Sequence, residues 1–573
     1  MIDQINHGVG KLIQSEKDRV AIAELNYKAG VTAMTHSGFM RAFSYFETAK
    51  SLLPENHWTS QYYFSIRLFL SISNAAFACG YGDLVDDALD AILREATCLE
   101  DKLDAYYFMN NLLFHRGQTK AAIKNCTEVL SGLGETIPTE VDGHKLNDML
   151  EKLMNFFANV SDDELLRFRE CDNRLHFYLM QFYQQRVWFG FFGESPAMQS
   201  YLSCRAVEIA IRVGFCKYTA VSISSIATLL CGMSKDITNG YRLGRVSLSL
   251  LTRFNATNLI PTIYLAFYGL VAFNSEPIMH CADQLHIGFQ IGMSVGEPTI
   301  ALMNGLHYIQ KSFVGGRNLV ALSTEIDYQL ELIEKHDDNR AKRFMSLFKE
   351  TLHMVIDKNK AMAETTTLSR GTEALDEAMK IEGFSEVVFF HRVIQSYWLG
   401  YLDRCHYFAQ KSARGDAAVG RLLKLIASFY HGLAALHILR KKNCKMEMKE
   451  IARASRKALS LATDHAPINF KNKFELLQAE LHRTEYILRR EKEDIHQAKK
   501  MYAKSICSAE AASFIHEKAL ALELAANFYE EIGEIANAVR SFSEAKLHFS
   551  FWGSKVRVAQ MEAAIARTEK KLH

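Results

Sequence analysis

The chain has 573 residues, of which 49% are apolar and 23% are charged, and its formal net charge is +2. This length exceeds what one compact core usually holds and predicts several domains or an elongated array. The balanced charge excludes a global field that would attract nucleic acid or an anionic membrane.

The prolines, cysteines and apolar stretches narrow the class of protein further. Only seven prolines are present, which favours long helices with few interruptions. The eleven cysteines form no C-x-x-C pair, which argues against a zinc site or a disulfide framework. Met1 is not followed by a basic segment and an apolar run, so no signal peptide is visible. The longest apolar stretch, Ile260 to Phe273, is too short to span a bilayer. We therefore expect a cytoplasmic protein without a membrane span and without a nucleic-acid partner.

The helical pattern divides the chain into five stretches. Residues 1–22 predict a short leading helix, and residues 23–145 predict a first set of repeats. Residues 146–360 predict more degenerate helical repeats, and residues 361–375, which contain threonine and serine, predict a flexible insertion. Residues 376–573 predict a last set of repeats. No segment predicts a sheet.

The best repeat of the first half runs from Ala23 to Pro54. Ala42, Phe46 and Ala49 stand in its second helix, and Pro54 closes it. These offsets are typical of a tetratricopeptide (TPR) unit, in which two antiparallel helices pack through small residues. Ser15 stands where it could cap the helix that follows the leading piece, with Asp18 three residues on.

The central and basic stretches each allow two interpretations. Leu146 to Gly193 is rich in aromatic residues, which indicates either buried helix contacts or a groove for a peptide or an aromatic ligand. A basic run from Arg440 to Lys457 is interleaved with glutamates, which favours a solvated helix face over a phosphate or nucleic-acid patch.

The last hundred residues give the clearest repeat. In them Tyr529, Gly533, Ala538, Phe542 and Ala545 stand at TPR offsets, with Gly533 at the turn between two helices. The predicted fold class is therefore all-α, with TPR-like antiparallel helix pairs stacked into a superhelical solenoid.

No group of titratable residues predicts a reaction or a metal. His482 and Glu485 could share a helix face, but such pairs arise by chance in a long helical array. His280 and His286, six residues apart, would point in different directions. We expect no catalytic, cofactor-binding or metal-binding residues, and no cofactor. His465 before Ala466 and Pro467 is expected to cap a helix or to bond a backbone carbonyl at a bend.

Several passages resemble one family of signalling proteins. In chain order they are Gln4 to Gly8, Ala23 to Gly30, Tyr45 to Glu47, Leu52 to Pro54, Leu250 to Ala256, Glu276 to Pro277, His465 to Asn469 and Glu517 to Tyr529. Together they resemble the TPR-like helical region of multidomain AAA-ATPase/histidine kinases and their serine/threonine-kinase hybrids. The resemblance covers nearly the whole chain, and it implies that residues 1–22 are the helix that follows the ATPase part.

The catalytic motifs of that family are absent from the sequence. Gly8-Val9-Gly10-Lys11 resembles only the end of a phosphate-binding loop, because Ile5 replaces the first glycine and Leu12 the magnesium-binding hydroxyl. The kinase motifs H-R-D and D-F-G and the metalloprotease motif H-E-x-x-H are also missing.

We therefore expect a non-catalytic scaffold that binds a peptide or a helix of a protein partner in a concave surface. The resemblance implies a context of ATPase- or kinase-linked signal transduction. One alternative is a fragment of a larger AAA-ATPase/histidine kinase whose catalytic domains are missing from this chain. The other is an enzyme or small-ligand receptor with a pocket in the aromatic-rich middle.

Overall fold

The computed structural model describes residues 2–6, 15–190, 193–234, 236–336, 338–357, 385–412, 420–441 and 446–571. In these ranges the chain is all-α: antiparallel helix pairs stack into a TPR-like superhelical solenoid. The described residues contain no strand, only an isolated bridge between Glu170 and Phe215. The predicted fold class is confirmed.

The first helices form the most regular pairs. Their bounds are α1 (Glu16–Thr35), α2 (Phe39–Ser51), α3 (His57–Ser60), α4 (Tyr62–Cys79), α5 (Gly82–Glu95), α6 (Leu99–His115) and α7 (Thr119–Gly132). Ala42, Phe46 and Ala49 are fully buried, as their repeat positions predict. Gly30 in α1 lies against the ring of Phe46, where a Cβ atom would meet Cε1 at 2.3 Å. Ser15 precedes α1, but its side chain makes no capping hydrogen bond.

The central helices are longer and more deeply buried. Their bounds are α8 (Gly143–Asn159), α9 (Asp162–Leu166), α10 (Arg174–Gly190), α11 (Pro196–Val213), α12 (Lys217–Leu229), α13 (Ile237–Arg253), α14 (Ile260–Ala266), α15 (Ile278–Ser294), α16 (Pro298–Val314), α17 (Leu319–Lys335) and α18 (Asn339–Ile356). A π-helical turn, Phe267–Val271, and a 3-10 turn, Ala272–Asn274, extend α14, and a π-helical turn, Leu230–Ser234, extends α12. Such turns re-aim side chains within a helix.

The C-terminal helices return to regular pairing. Their bounds are α19 (Ser385–Trp398), α20 (Leu402–Ser412), α21 (Arg421–Lys441), α22 (Met446–His465), α23 (Pro467–Arg489), α24 (Lys492–Ala511), α25 (Ile515–Glu531), α26 (Ile535–Trp552) and α27 (Lys555–Glu569). Gly533 joins α25 to α26 with a φ of +82°, a left-handed conformation that glycine adopts without strain. It is the turn glycine that the repeat pattern predicts.

The bend at the start of α23 differs from the prediction. His465 ends α22 with an exposed ring that makes no hydrogen bond to the described residues, so it is neither a cap nor a carbonyl partner there. The backbone N–H of Ala466 instead donates to the carbonyl of Ala462 at 2.9 Å, and Pro467 occupies the first turn of α23. Proline suits that position because the first N–H groups of a helix have no partner within it.

Alternate helices form a continuous inner layer of the solenoid. Contacts run in order through α10, α12, α14, α16, α18, α19, α21, α23 and α25. The helices between them cover this layer from outside. The inner layer therefore supplies the concave face on which a site can be built.

Successive turns of the superhelix touch each other. Ser37 Oγ donates to the carbonyl of Ser294 at 2.6 Å, across 257 residues. Asn469 Nδ2 donates to the carbonyl of Phe273 at 2.7 Å, across 196 residues. Ser554 Oγ donates to the carbonyl of Val355 at 2.7 Å, across 199 residues. These contacts make the array compact instead of extended.

Several predictions lie outside the described residues or stay predictions. The flexible insertion at 361–375 and the phosphate-loop-like Gly8 to Lys11 are outside the described ranges. The boundaries of the five stretches stay predictions. Among the described helices, α21 is long and apolar enough to cross a membrane, but 67% of its most apolar window is buried inside the protein. That degree of burial is equally typical of a core helix.

Candidate functional site

A cavity of about 860 Å³ is enclosed by the inner layer. Its walls come from α10, α12, α14, α16, α18, α19 and the start of α21, and the turn between α6 and α7 completes it. A cavity of this size lies within the range of small-molecule and peptide side-chain sites. We therefore treat it as the candidate functional site.

Each wall helix presents one face to the cavity. On α12 the lining residues are Val221, Ser224, Ser225 and Thr228, and on α16 they are Met303, Leu306, His307 and Gln310. The spacing of three and four residues is that of one helix face. The opposite faces of the same helices pack into the core.

Much of the wall is apolar. Its apolar residues include Val187, Leu265, Leu270, Met303, Leu306, Phe344, Phe348, Val387, Phe390 and Leu423. Three phenylalanine rings from α18 and α19 stand together on this wall. Such a wall can desolvate a large apolar group of an occupant.

Some buried polar atoms of the lining have no partner within the described part of the chain. Gln184 on α10 is 8% exposed, and its Oε1 accepts no hydrogen bond. His307 Nδ1 is likewise buried and unpartnered. The hydroxyls of α12 are different, since Ser224 Oγ donates to the carbonyl of Val221 at 2.8 Å within its own helix. An orphaned buried acceptor costs stability unless an occupant satisfies it.

The charged side chains of the lining are all cationic. They are Arg116, Lys120, Arg343 and Lys424, and no aspartate or glutamate belongs to the described lining. Arg116 forms an ion pair with Asp86 at 2.7 Å. Arg343 on α18 is exposed and forms no ion pair with the described part of the chain. The cavity therefore has a positive rim.

A buried lysine lies behind this wall. Lys311, one turn after His307, is fully buried and donates from Nζ to the carbonyl of Gly269 at 2.7 Å. Burial lowers the pKa of Lys311 to about 8, so the amine is still mainly charged at pH 7. Burial, with the nearby Lys311 charge, lowers the pKa of His307 to about 3, so that ring stays neutral.

Glu297, at the start of α16, carries a pH dependence that can be measured. Burial raises the pKa of Glu297 to about 7, although the charge of Lys217 pulls in the opposite direction. Between the unfolded value of about 4.5 and 7, the folded chain holds a proton that the unfolded chain has lost. The contribution of this carboxyl to the folding stability of the chain is therefore most favourable below pH 4.5 and falls as the pH rises to 7. We expect Glu297→Gln to raise the melting temperature at pH 8, where each kcal/mol of unfolding free energy corresponds to on the order of 2–4 °C. At pH 4.5 the substitution should leave the melting temperature unchanged.

The control for this prediction is Glu491→Gln. Glu491 also immediately precedes a helix, α24, and also makes no capping bond there, but it is exposed. Melting curves of both variants and the parent chain from pH 4.5 to 8 test the prediction. An equal gain from Glu297→Gln at both ends of that range would contradict it.

The aromatic-rich stretch mostly follows the simpler interpretation. Phe182, Tyr183 and Phe189 are fully buried in helix contacts. Trp188 is the aromatic residue of this stretch that joins the cavity lining, beside the non-aromatic Gln184, Val187 and Gly193. The stretch therefore supplies one wall of the site, α10, but not the others.

The structure does not bring the candidate histidine pairs into a site. His482 contacts Asp494 at 3.1 Å, whereas Glu485 pairs with Arg489 at 3.0 Å. His280 pairs with Glu276 at 3.2 Å, and the ring of His286 lies 4.8 Å from that of Tyr308. In the described ranges no three His, Cys, Asp or Glu residues are placed to hold a metal ion.

Sequence reasoning missed the cavity itself. The signal in the sequence is that Ser224, Ser225 and Thr228 recur at helical spacing in the apolar segment that forms α12, and the structure buries every residue from Tyr218 to Leu229. Hydroxyl groups on one face of a fully buried helix indicate a polar lining. The other walls lie on distant helices, so their convergence is not visible in the chain.

Comparisons with known proteins add little to these observations. No family model matches the sequence, and no curated protein matches it. Among solved structures, the chain is similar to one described as "Crystal structure of Scc4 in complex with Scc2n", with a TM-score of 0.39 and 9% sequence identity. That similarity covers 98% of this chain and 99% of the other. A likeness at this TM-score supports no argument about function, so the fold assignment rests on the helix packing described above.

Proposed function

We propose that this chain is a non-catalytic scaffold that binds a protein partner, and that an extended segment of the partner lies in the central cavity. The observation that carries the proposal is the cavity of about 860 Å³ enclosed by the inner layer. Concave inner faces of helical-repeat arrays hold peptides through distributed contacts.

The chemistry of the lining suits a peptide. Gln184 Oε1 is a buried acceptor that receives no hydrogen bond from the described residues. A peptide can supply the donor, because each of its residues other than proline carries a backbone N–H group. Gln310 and Thr262 place further amide and hydroxyl groups on the same lining. The apolar wall around Phe344 and Phe390 can take large side chains of the same segment.

Narrowing the cavity is expected to abolish this binding. Ala266→Trp on α14 and Gln310→Trp on α16 each place an indole in the cavity from a different wall. An unbiased peptide-display library is selected on the parent chain, and the enriched peptides are titrated against both variants. We expect each variant to lose tenfold or more in affinity, about 1.4 kcal/mol or more.

Ala454→Trp is the matched control. Ala454 is exposed on α22 and does not line the cavity. Circular dichroism and melting curves show whether each variant folds, and two variants on separate helices guard against the failure of one. Enriched peptides that bind all three variants equally, or no enrichment at all, would refute the proposal.

The cellular context is a further part of the proposal. The resemblance of Ala23 to Gly30 and of Glu517 to Tyr529 to signalling proteins supports a place in AAA-ATPase/histidine-kinase signal transduction. The described cysteines are all free, which supports a reducing compartment such as the cytoplasm. The alternative, a fragment of a longer kinase, is tested by sequencing the transcript beyond both ends. Open reading frames that encode an ATPase or a kinase domain would support it, and stop codons at both ends would refute it.

A further inference from the structure

The charged side chains that line the cavity are all of one sign. The described lining contains four cationic side chains, Arg116, Lys120, Arg343 and Lys424, and no carboxylate. The net charge of the whole chain is only +2, so this concentration is a property of the site and not of the protein as a whole. Clefts lined by one sign of charge attract ligands of the other sign.

Two carboxylates that contact residues of the lining or its neighbours are already engaged. Asp86 pairs with Arg116 at 2.7 Å. Asp338 accepts a hydrogen bond from the backbone N–H of Ala341 at 2.9 Å and lies 3.8 Å from Nδ1 of His115. Arg343 has no such partner in the described ranges, and its exposed guanidinium can bind a carboxylate with two parallel hydrogen bonds.

A buried lysine behind His307, Lys311, adds a further positive charge near the cavity. Lys311 is fully buried, and no carboxylate lies within ion-pair distance of it in the described part of the chain. A buried amine without a counter-ion is costly, and an anion in the adjacent cavity reduces that cost. His307 itself is neutral and contributes no charge.

Resting on the proposed function, we infer that the bound segment is acidic: a peptide in which Asp or Glu side chains stand beside a large apolar side chain. Its carboxylates lie at the cationic rim with Arg343, and its apolar side chain lies against Phe344, Phe348 and Phe390. Gln184 distinguishes a peptide from a long-chain carboxylate, because a fatty chain has no N–H to donate to Gln184 Oε1.

Charge reversal at the rim tests the inference. The peptides enriched on the parent chain are synthesised in matched Glu and Gln versions and titrated by fluorescence anisotropy. We expect the Glu version to bind about tenfold more tightly at low salt, and this advantage to shrink at high salt. Arg343→Glu should remove the advantage. Arg453→Glu, on the exposed face of α22 and without an ion pair, should leave it unchanged.

Two further outcomes separate this inference from the proposed function. Enriched peptides that depend on the cavity but are not acidic, or that bind equally as Gln versions, would overturn the acidic inference and leave partner binding intact. The second arm replaces Gln184 by Met and compares the Glu peptide with a fluorescent long-chain carboxylate. If Gln184→Met lowers the affinity of the Glu peptide about fivefold and leaves that of the long-chain carboxylate unchanged, the result supports a peptide occupant. If the long-chain carboxylate binds more tightly than the peptide and Gln184→Met does not change its affinity, the inference of a peptide occupant is overturned.

Discussion

Replacing Lys473 by methionine is expected to cost about 3–5 kcal/mol of stability in the C-terminal helices. Lys473 on α23 and Glu517 on α25 form an ion pair at 2.8 Å, and their side chains are 0% and 2% exposed. Lys473 Nζ also donates to the carbonyl of Asn469 at 2.8 Å and lies 3.9 Å from the centre of the Phe514 ring. Methionine removes the charge and leaves Glu517 buried beside Asn472 without a cation. That uncompensated carboxylate is the source of the cost.

The pair is best tested as a double-mutant cycle. Burial moves the pKa of Glu517 up and the pKa of Lys473 down, so both groups lie in an environment that disfavours charge. We therefore expect Lys473→Met with Glu517→Leu to be more stable than Lys473→Met alone. Urea unfolding gives the free energies, and hydrogen exchange shows whether the loss is confined to α23 and α25. A double variant no better than the single one would contradict the account.

An exposed pair supplies the reference for this cycle. Lys546 and Glu562 are 3.8 Å apart, and their side chains are 41% and 59% exposed. Because water already solvates both groups, Lys546→Met should cost less than about 1 kcal/mol. The contrast between the two lysines isolates burial as the cause.

The parts of the fold that the sequence predicts depend on local chemistry. Gly533 is predicted as a turn because a left-handed residue there favours glycine, and its φ is +82°. Ala42, Phe46 and Ala49 are predicted as contacts between paired helices because they share one helix face, and all three are fully buried. Both inferences involve neighbours within one helix pair.

The parts that were missed depend on contacts between helices that do not follow each other directly in the chain. Arg440 belongs to a run predicted as a solvated face, and Arg453, Arg456 and Lys457 are indeed exposed. Arg440 itself is 8% exposed and pairs with Glu480 at 2.7 Å. A sequence does not reveal which charged residue meets a partner 40 positions away. The cavity is hidden for the same reason, because α12 and α18 meet around it only once the solenoid has curved.

The second large loss of stability is expected at Trp552, where two turns of the superhelix are in contact. Its indole is fully buried at the end of α26, 4.8 Å from the ring of Trp398 and 5.1 Å from that of His516. The ring of Phe313, on α16, lies 6.5 Å away. Trp552→Ala empties the space where α26 meets α16, α19 and α25, and should cost about 3–5 kcal/mol. We expect faster hydrogen exchange in α26, which contacts α16 and α19 there, and in α27, which packs against α26 and α18.

A conservative variant tests whether the cost at Trp552 follows the volume that is lost. Trp552 Nε1 has no hydrogen-bond partner among the residues that the structure describes, so Trp552→Phe loses volume but no bond. It should cost well under half as much as Trp552→Ala. Trp58→Ala, at a partly buried tryptophan near α4, is the matched control and should leave exchange in α26 unchanged. Equal costs for the alanine and phenylalanine variants would show that packing at Trp552 is not what holds the two turns together.

None of these residues lines the cavity. A drop in peptide affinity in Trp552→Ala would therefore show that contact between the turns keeps the inner layer in its binding shape.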